Sequence, residues 1–240
     1  MGKRELERRF GFRVVEMPHA LKGPEWVRTH PKERAEDLHL AVTDPEIKAV
    51  FASIGGADAI RVLPHLDPGV MAANPKIFMG YSDTTMVHLA AYGAGLQTFY
   101  GPAVMAGIAE NGGMFEYAER WFRKVLMTSE PVGKLEPAEG WTEERLEWAD
   151  PTLENQRRTL RKPDGWVWLQ GGAKAEGHLL AELYRRLKDL LGRELGRPHL
   201  PVVAEMDFGH TGPMFILPYG GRAILDVERR KVTLPDQAVT

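Results

Sequence analysis

Lys76-Ile-Phe-Met-Gly-Tyr-Ser-Asp-Thr-Thr-Met-Val-His-Leu-Ala-Ala-Tyr-Gly-Ala-Gly95 is the stretch from which the fold is read. An apolar run over residues 77–79 meets Gly80 and then Ser82, and residues 83–92 carry apolar positions at helical spacing. That pattern is a strand, a sharp turn and a helix. Ser82 falls on the turn, where a side chain projects at the carboxyl end of a sheet beside the unpaired amides of a helix start. Two readings of it stand at this point. A serine before a helix is a preferred N-cap, because its oxygen accepts a bond from an amide of the first turn, and the stretch lacks the second glycine of a Gly-x-Ser-x-Gly elbow. An exposed serine on such a turn is also where a nucleophile would sit.

Outward from this stretch, helices and strands alternate. Residues 49–54 form an almost continuous apolar run, suited to a strand covered on both faces, and end at Gly55-Gly56, a turn that lets backbone approach a ligand closely. Residues 97–102 repeat the strand pattern after the helix. Residues 31–41 read as a helix opened by its proline, 44–47 as another helix start and 61–67 as a short helix. At the amino terminus, a helix over 3–10 and a strand over 12–16 look like the second half of a β-α-β unit. The reading is α/β: an amino-terminal flavodoxin-like domain with a parallel sheet, followed by a smaller, truncated carboxyl-terminal α/β domain.

After a helix over 114–126, residues 128–165 carry Pro131, Pro137, Pro151 and Pro163 with little periodicity beyond a short strand at 132–135. This divides the chain into residues 1–127, a connection over 128–164, and residues 165–240. The last part reads as a strand over 166–170 ending in Gly171-Gly172, an amphipathic helix over 179–195, and a strand over 200–208 running into Gly209-His210-Thr211-Gly212-Pro213. Strands at 214–217 and 222–227 read as a hairpin through 218–221, with a fraying tail after Leu234.

Composition narrows the function. The 240 residues are 43% hydrophobic and 27% charged, as in an ordinary globular protein. A net charge of -2, from 31 basic and 33 acidic residues, carries no footprint for nucleic acid or an anionic membrane, so a small molecule or peptide is the expected partner. No apolar run approaches the ~20 residues of a membrane span. With no cysteine there is no thiolate chemistry, and no histidine has metal-ligand spacing, so neither metal nor cofactor is expected. The charged first residues lead into no apolar signal region, which makes a cytoplasmic location the expectation.

A serine needs a base to take its proton. Among eight histidines, His210 has the most telling context, a glycine-flanked loop just past a strand. It is either that base or a residue capping its loop. His88 lies on the same helix as Ser82 but points to another face, and reads as structural.

Taken together, Gly80-Tyr81-Ser82-Asp83, Gly55-Gly56 with Arg61-Val62-Leu63-Pro64-His65-Leu66-Asp67, Thr98-Phe99-Tyr100-Gly101-Pro102, Leu169-Gln170-Gly171-Gly172 and Phe208-Gly209-His210-Thr211 resemble the LD-carboxypeptidase family, in its MccF-like, microcin C immunity branch. The resemblance implies a serine peptidase with a Ser-His-Glu triad, acting on amides of LD-peptides or of aminoacyl-nucleotide-like groups. It makes Ser82 the nucleophile and His210 the general base. It places the oxyanion hole at the backbone amides of Asp83 and Gly56, and it implies a homodimer. The chain departs from the pattern in three places. The interval between Gly171-Gly172 and the strand before His210 is too short for the segment that carries the family glutamate, so the triad acid has no matching position; Glu176, Glu205 and Asp207 are the nearest carboxylates. The first strand of the family is missing, and Gly212 stands where an aspartate is common. An amide hydrolase with weak or lost activity is the first hypothesis; an inactive relative serving as a binding or dimerisation module is the alternative. A contraction of a longer enzyme, natural or engineered, would give the same sequence.

Overall fold

The computed structural model describes residues 1–148, 150–170, 174–178 and 202–239. The helix expected over 179–195 and the Gly171-Gly172 turn lie outside the described residues.

Three short strands, β1 (Ala49–Phe51), β2 (Ile77–Gly80) and β3 (Thr98–Tyr100), pair in parallel and in sequence order. Helix α4 (Pro68–Ala73) lies between β1 and β2 in the chain, and α5 (Thr85–Gly93) lies between β2 and β3. The parallel α/β sheet is therefore as the sequence pattern predicts. Ahead of it run α1 (Gly2–Phe10), α2 (Pro24–Thr29) and α3 (Pro31–Thr43), the last two opened by prolines that lose no intrahelical bond there. Helix α6 (Glu116–Leu126) turns Ala118, Trp121, Phe122, Val125 and Leu126 into the core, with the Phe122 ring stacked 4.1 Å from Phe10.

The rest of the chain builds β4 (Pro131–Lys134), β5 (Val167–Gln170), β6 (Lys174–His178), β7 (Val202–Ala204), β8 (Leu217–Tyr219), β9 (Arg222–Asp226) and β10 (Lys231–Gln237). An antiparallel sheet runs in the order β4-β10-β9-β6, and β5 pairs with β7. Among the described residues no helix is long and apolar enough to cross a membrane.

Four local expectations are corrected. Residues 12–16 form no strand and join no ladder; Phe12 and Val14 pack on the core, the Phe12 ring stacked 6.3 Å from Phe51 of β1. Residues 44–47 make a turn, with the Asp44 carboxylate accepting from the Glu46 amide at 2.8 Å, rather than starting a helix. Residues 218–221 do turn the chain, Gly221 N–H donating to the Pro218 carbonyl at 3.1 Å, but they do not make a hairpin. The turn hands the chain from one sheet to the other, because β8 pairs antiparallel with β3 whereas β9 pairs with β10 and β6. The tail does not fray at 235: β10 lies between β4 and β9 with Val232 and Leu234 buried.

Candidate active site

Strand β2 ends at Gly80, Tyr81 continues extended, and Ser82 then takes φ 60, a left-handed conformation unusual for a side chain other than glycine. Such a residue costs roughly 1–3 kcal/mol and persists only where its surroundings hold it. The hold is visible. The Thr85 hydroxyl donates to the Ser82 carbonyl at 2.5 Å, and the Ser82 amide points at the Tyr100 phenol oxygen at 3.4 Å. The Asp83 carboxylate accepts from the amides of Asp58 and Ala59 at 2.9 and 2.8 Å, tying the elbow to the turn after β1. Arg34 on α3 reaches the same turn, donating to the Asp58 carbonyl at 3.3 Å.

Gly55 lies alongside the serine: a Cβ there would stand 3.2 Å from the Ser82 Cβ and 3.5 Å from its Oγ. Gly56 faces the Asp83 carboxylate, 3.3 Å from where its own Cβ would be. Both expected oxyanion positions, Gly56 and Asp83, are thus beside the elbow. Their amides donate to no acceptor among the described residues.

His210 comes from the loop after β7, in the other half of the chain, and its Nε2 lies 3.0 Å from the Ser82 Oγ. Its ring meets that of Tyr81 edge-on at 5.5 Å. The loop is closed by the Phe215 amide donating to the Asp207 carbonyl at 2.9 Å. It is clamped by a two-way bridge in which Thr142 and Gly212 exchange amide-to-carbonyl bonds of 2.7 and 2.9 Å.

The candidate carboxylates are all engaged elsewhere or apart from the ring. Glu176 pairs with Arg222 at 2.9 Å on the exposed face of the second sheet. Asp207 is buried and accepts from the Trp166 indole at 2.7 Å and the Ala138 amide at 3.1 Å; burial pushes its carboxyl up despite those bonds. Glu205 is exposed, with φ 56. Among the described residues no carboxylate bonds the His210 ring.

His88 is structural, as its helical position predicts. It is buried, bonds the Gly80 carbonyl through Nε2 at 3.0 Å and Thr98 Oγ1 through Nδ1 at 2.8 Å. A carbonyl only accepts, so Nε2 carries the proton and the Thr98 hydroxyl donates to Nδ1. Burial holds this imidazole neutral, its pKa pulled down to about 4. Arg158, close to the site, carries no motif by which the sequence would single it out; Tyr100 lies in the Thr98-Phe99-Tyr100-Gly101-Pro102 motif, but nothing local marks its phenol as the neighbour of the Ser82 amide. Among the described residues no group of three or more His, Asp or Glu could hold a metal ion.

The arrangement is a strained serine at a strand-to-helix turn, with an imidazole nitrogen on its oxygen and free amides beside it. Such a set can deprotonate the serine, attack a carbonyl and bind the resulting oxyanion. Comparisons with known proteins place the chain among relatives. Residues 1–101 match the family described as LD-carboxypeptidase N-terminal domain, and residues 157–225 match LD-carboxypeptidase C-terminal domain. The chain is 29% identical to the microcin C7 self-immunity protein MccF of Escherichia coli over 79% of its length, but that alignment covers only 55% of MccF. It is 30% identical to the Streptomyces coelicolor protein named "Putative carboxypeptidase SCO6489", over 86% of this chain and 78% of that one. An MccF-like protein from Streptococcus pneumoniae, solved in complex with AMP, shares the fold with a TM-score of 0.83 at 24% identity, over 98% of this chain and 92% of the other.

Proposed function

The chain belongs to the LD-carboxypeptidase family, and on that premise we propose that it is a serine-type amide hydrolase in which Ser82 is the nucleophile and His210 the general base. The observation that carries the reading is the 3.0 Å contact between Ser82 Oγ and His210 Nε2, made by a serine held at φ 60. His210 takes the serine proton as Oγ attacks the amide carbonyl. The amides of Asp83 and Gly56 would receive the oxyanion, each such donor being worth about 3 kcal/mol. The imidazolium then returns its proton to the leaving amine, and a water activated by the same ring releases the acyl group.

The substrate class we infer is a small amide bearing a carboxylate or an aminoacyl-nucleotide group. Its support is the relatedness to a microcin immunity protein and the AMP held by a protein of the same fold. Because no position of the sequence matches the family's triad glutamate, we expect slow turnover; loss of the acid in a known triad costs ~10⁴ in kcat while the oxyanion hole still works. A fluorophosphonate probe is expected to label the wild type and not Ser82→Ala. Slow hydrolysis of an LD-linked peptide or an aminoacyl sulfamoyl nucleotide is expected to vanish in His210→Ala. Equal labelling of wild type and Ser82→Ala would overturn the assignment. Nucleotide binding without any turnover would favour a binding module instead. The homodimer implied by the family is checked by sedimentation velocity.

A further inference from the structure

A half-buried ion pair lies against the loop that carries His210. Arg158 Nε and Nη2 donate to the two carboxylate oxygens of Glu110 at 2.7 and 2.8 Å, and Nη1 donates to the Glu144 carbonyl at 3.1 Å. The side chains are 16% and 8% exposed, so neither charge is free in solvent. The guanidinium also lies 5.5 Å from the Phe115 ring. Its remaining edge abuts Gly212, two residues past His210; a Cβ on Gly212 would collide with Nη2 of Arg158. Gly212 has no left-handed φ, so what opposes a side chain here is the guanidinium and not backbone conformation.

One guanidinium therefore joins three separate segments: Glu110 from the part of the chain that carries the serine, Glu144 from the connection, and Gly212 from the histidine loop. Three donors are used in a fixed plane, and the closeness of Gly212 turns that plane into a stop for the loop. A lysine could neutralise Glu110 but could not hold the same plane. We propose that Arg158 is a positioning residue that seats the His210 loop so that Nε2 meets the Ser82 oxygen, with Glu110 as its anchor and Gly212 as the contact that transmits the position. The proposal rests on the reading of Ser82 and His210 as the reacting pair.

The test reads the second-order rate of fluorophosphonate labelling at Ser82, with circular dichroism to score folding. Displacement of a catalytic group by an ångström can cost on the order of 10²-fold. Arg158→Gln and Arg158→Lys are each expected to slow labelling by that order while keeping a folded spectrum. Gly212→Ala should also slow it, since the new methyl pushes against the guanidinium. In the Arg158→Gln background the same Gly212→Ala change should add little, because the group it collides with is gone. Millimolar guanidinium ion should partly restore labelling of Arg158→Ala. A purely structural role would make the two changes additive and leave the guanidinium ion without effect, and either result overturns the proposal. Wild-type rates in folded Arg158→Gln also overturn it and leave Ser82 standing as nucleophile. Absence of labelling in the wild type overturns both. If the Arg158 variants do not fold, Gly212→Ala alone decides: slowed labelling of a folded protein supports the proposal and a wild-type rate refutes it.

Discussion

Ser82 carries backbone strain together with its proposed chemistry, and the two can be separated by substitution. At φ 60 a Cβ is penalised and glycine is not. Ser82→Gly should therefore be more stable than Ser82→Ala, by about 1 kcal/mol in urea unfolding; the reverse order would show that the left-handed backbone is not held in solution. His88 gives a pH signature of its own. Its folded pKa of about 4 lies below the ordinary 6.5, so the native state refuses a proton that the unfolded chain accepts. The stability it contributes is fully present above pH 6.5, is lost as pH falls from 6.5 toward 4, and amounts to about 3 kcal/mol across that window. His88→Gln, compared with wild type by urea unfolding at pH 7 and pH 4.5, should flatten that part of the dependence. Both residues could be picked out in the sequence, Ser82 by its place between strand and helix and His88 by its helical face. Neither the strain of one nor the burial of the other is written there, since each arises from contacts made by distant segments.

The strand-turn-helix element depends on a glycine chosen for space. A Cβ on Gly80 would lie 2.8 Å from the Ala52 Cβ and 2.8 Å from the Thr84 Cγ2, so the end of β2 passes between the first strand's extension and the start of the following helix. Gly80→Ala should cost about 1–3 kcal/mol by overpacking and slow labelling at Ser82. Unchanged stability and rate would mean that the elbow has room to shift. Elsewhere, local signals located turns and short elements well but did not name their partners. The turn at 218–221 was legible from Pro218, Gly220 and Gly221, yet those residues only reverse the chain. The pairing of β8 with β3 follows from Leu217 and Tyr219 joining the common core. The alternation of Val232 and Leu234 is a strand signal that the polar residues after it obscure, and it became a central strand because β4 and β9 flank it.

At the scale of the molecule, the main core crosses the connection. Leu6, Phe10, Met79, Phe99 and Phe122 pack in one cluster with Phe215, Ile216, Leu217, Tyr219, Ala223, Val232 and Leu234. A fragment of residues 1–127 would leave that cluster open and β3 without its outer neighbour. It is expected to lack a cooperative thermal transition by circular dichroism, and a sharp transition would show that the amino-terminal part folds alone. The sequence by itself determined the parallel α/β sheet, the serine at the end of its second strand and the family, because these rest on hydrophobic period, turn chemistry and motifs that are local in the chain. Only the tertiary structure decided that the Ser82 oxygen and the His210 ring, 128 positions apart, stand 3.0 Å from each other, and that the Arg158–Glu110 pair abuts Gly212 in the loop that carries His210. Those meetings are set by packing and charge pairing among remote segments, and no spacing along the chain encodes them.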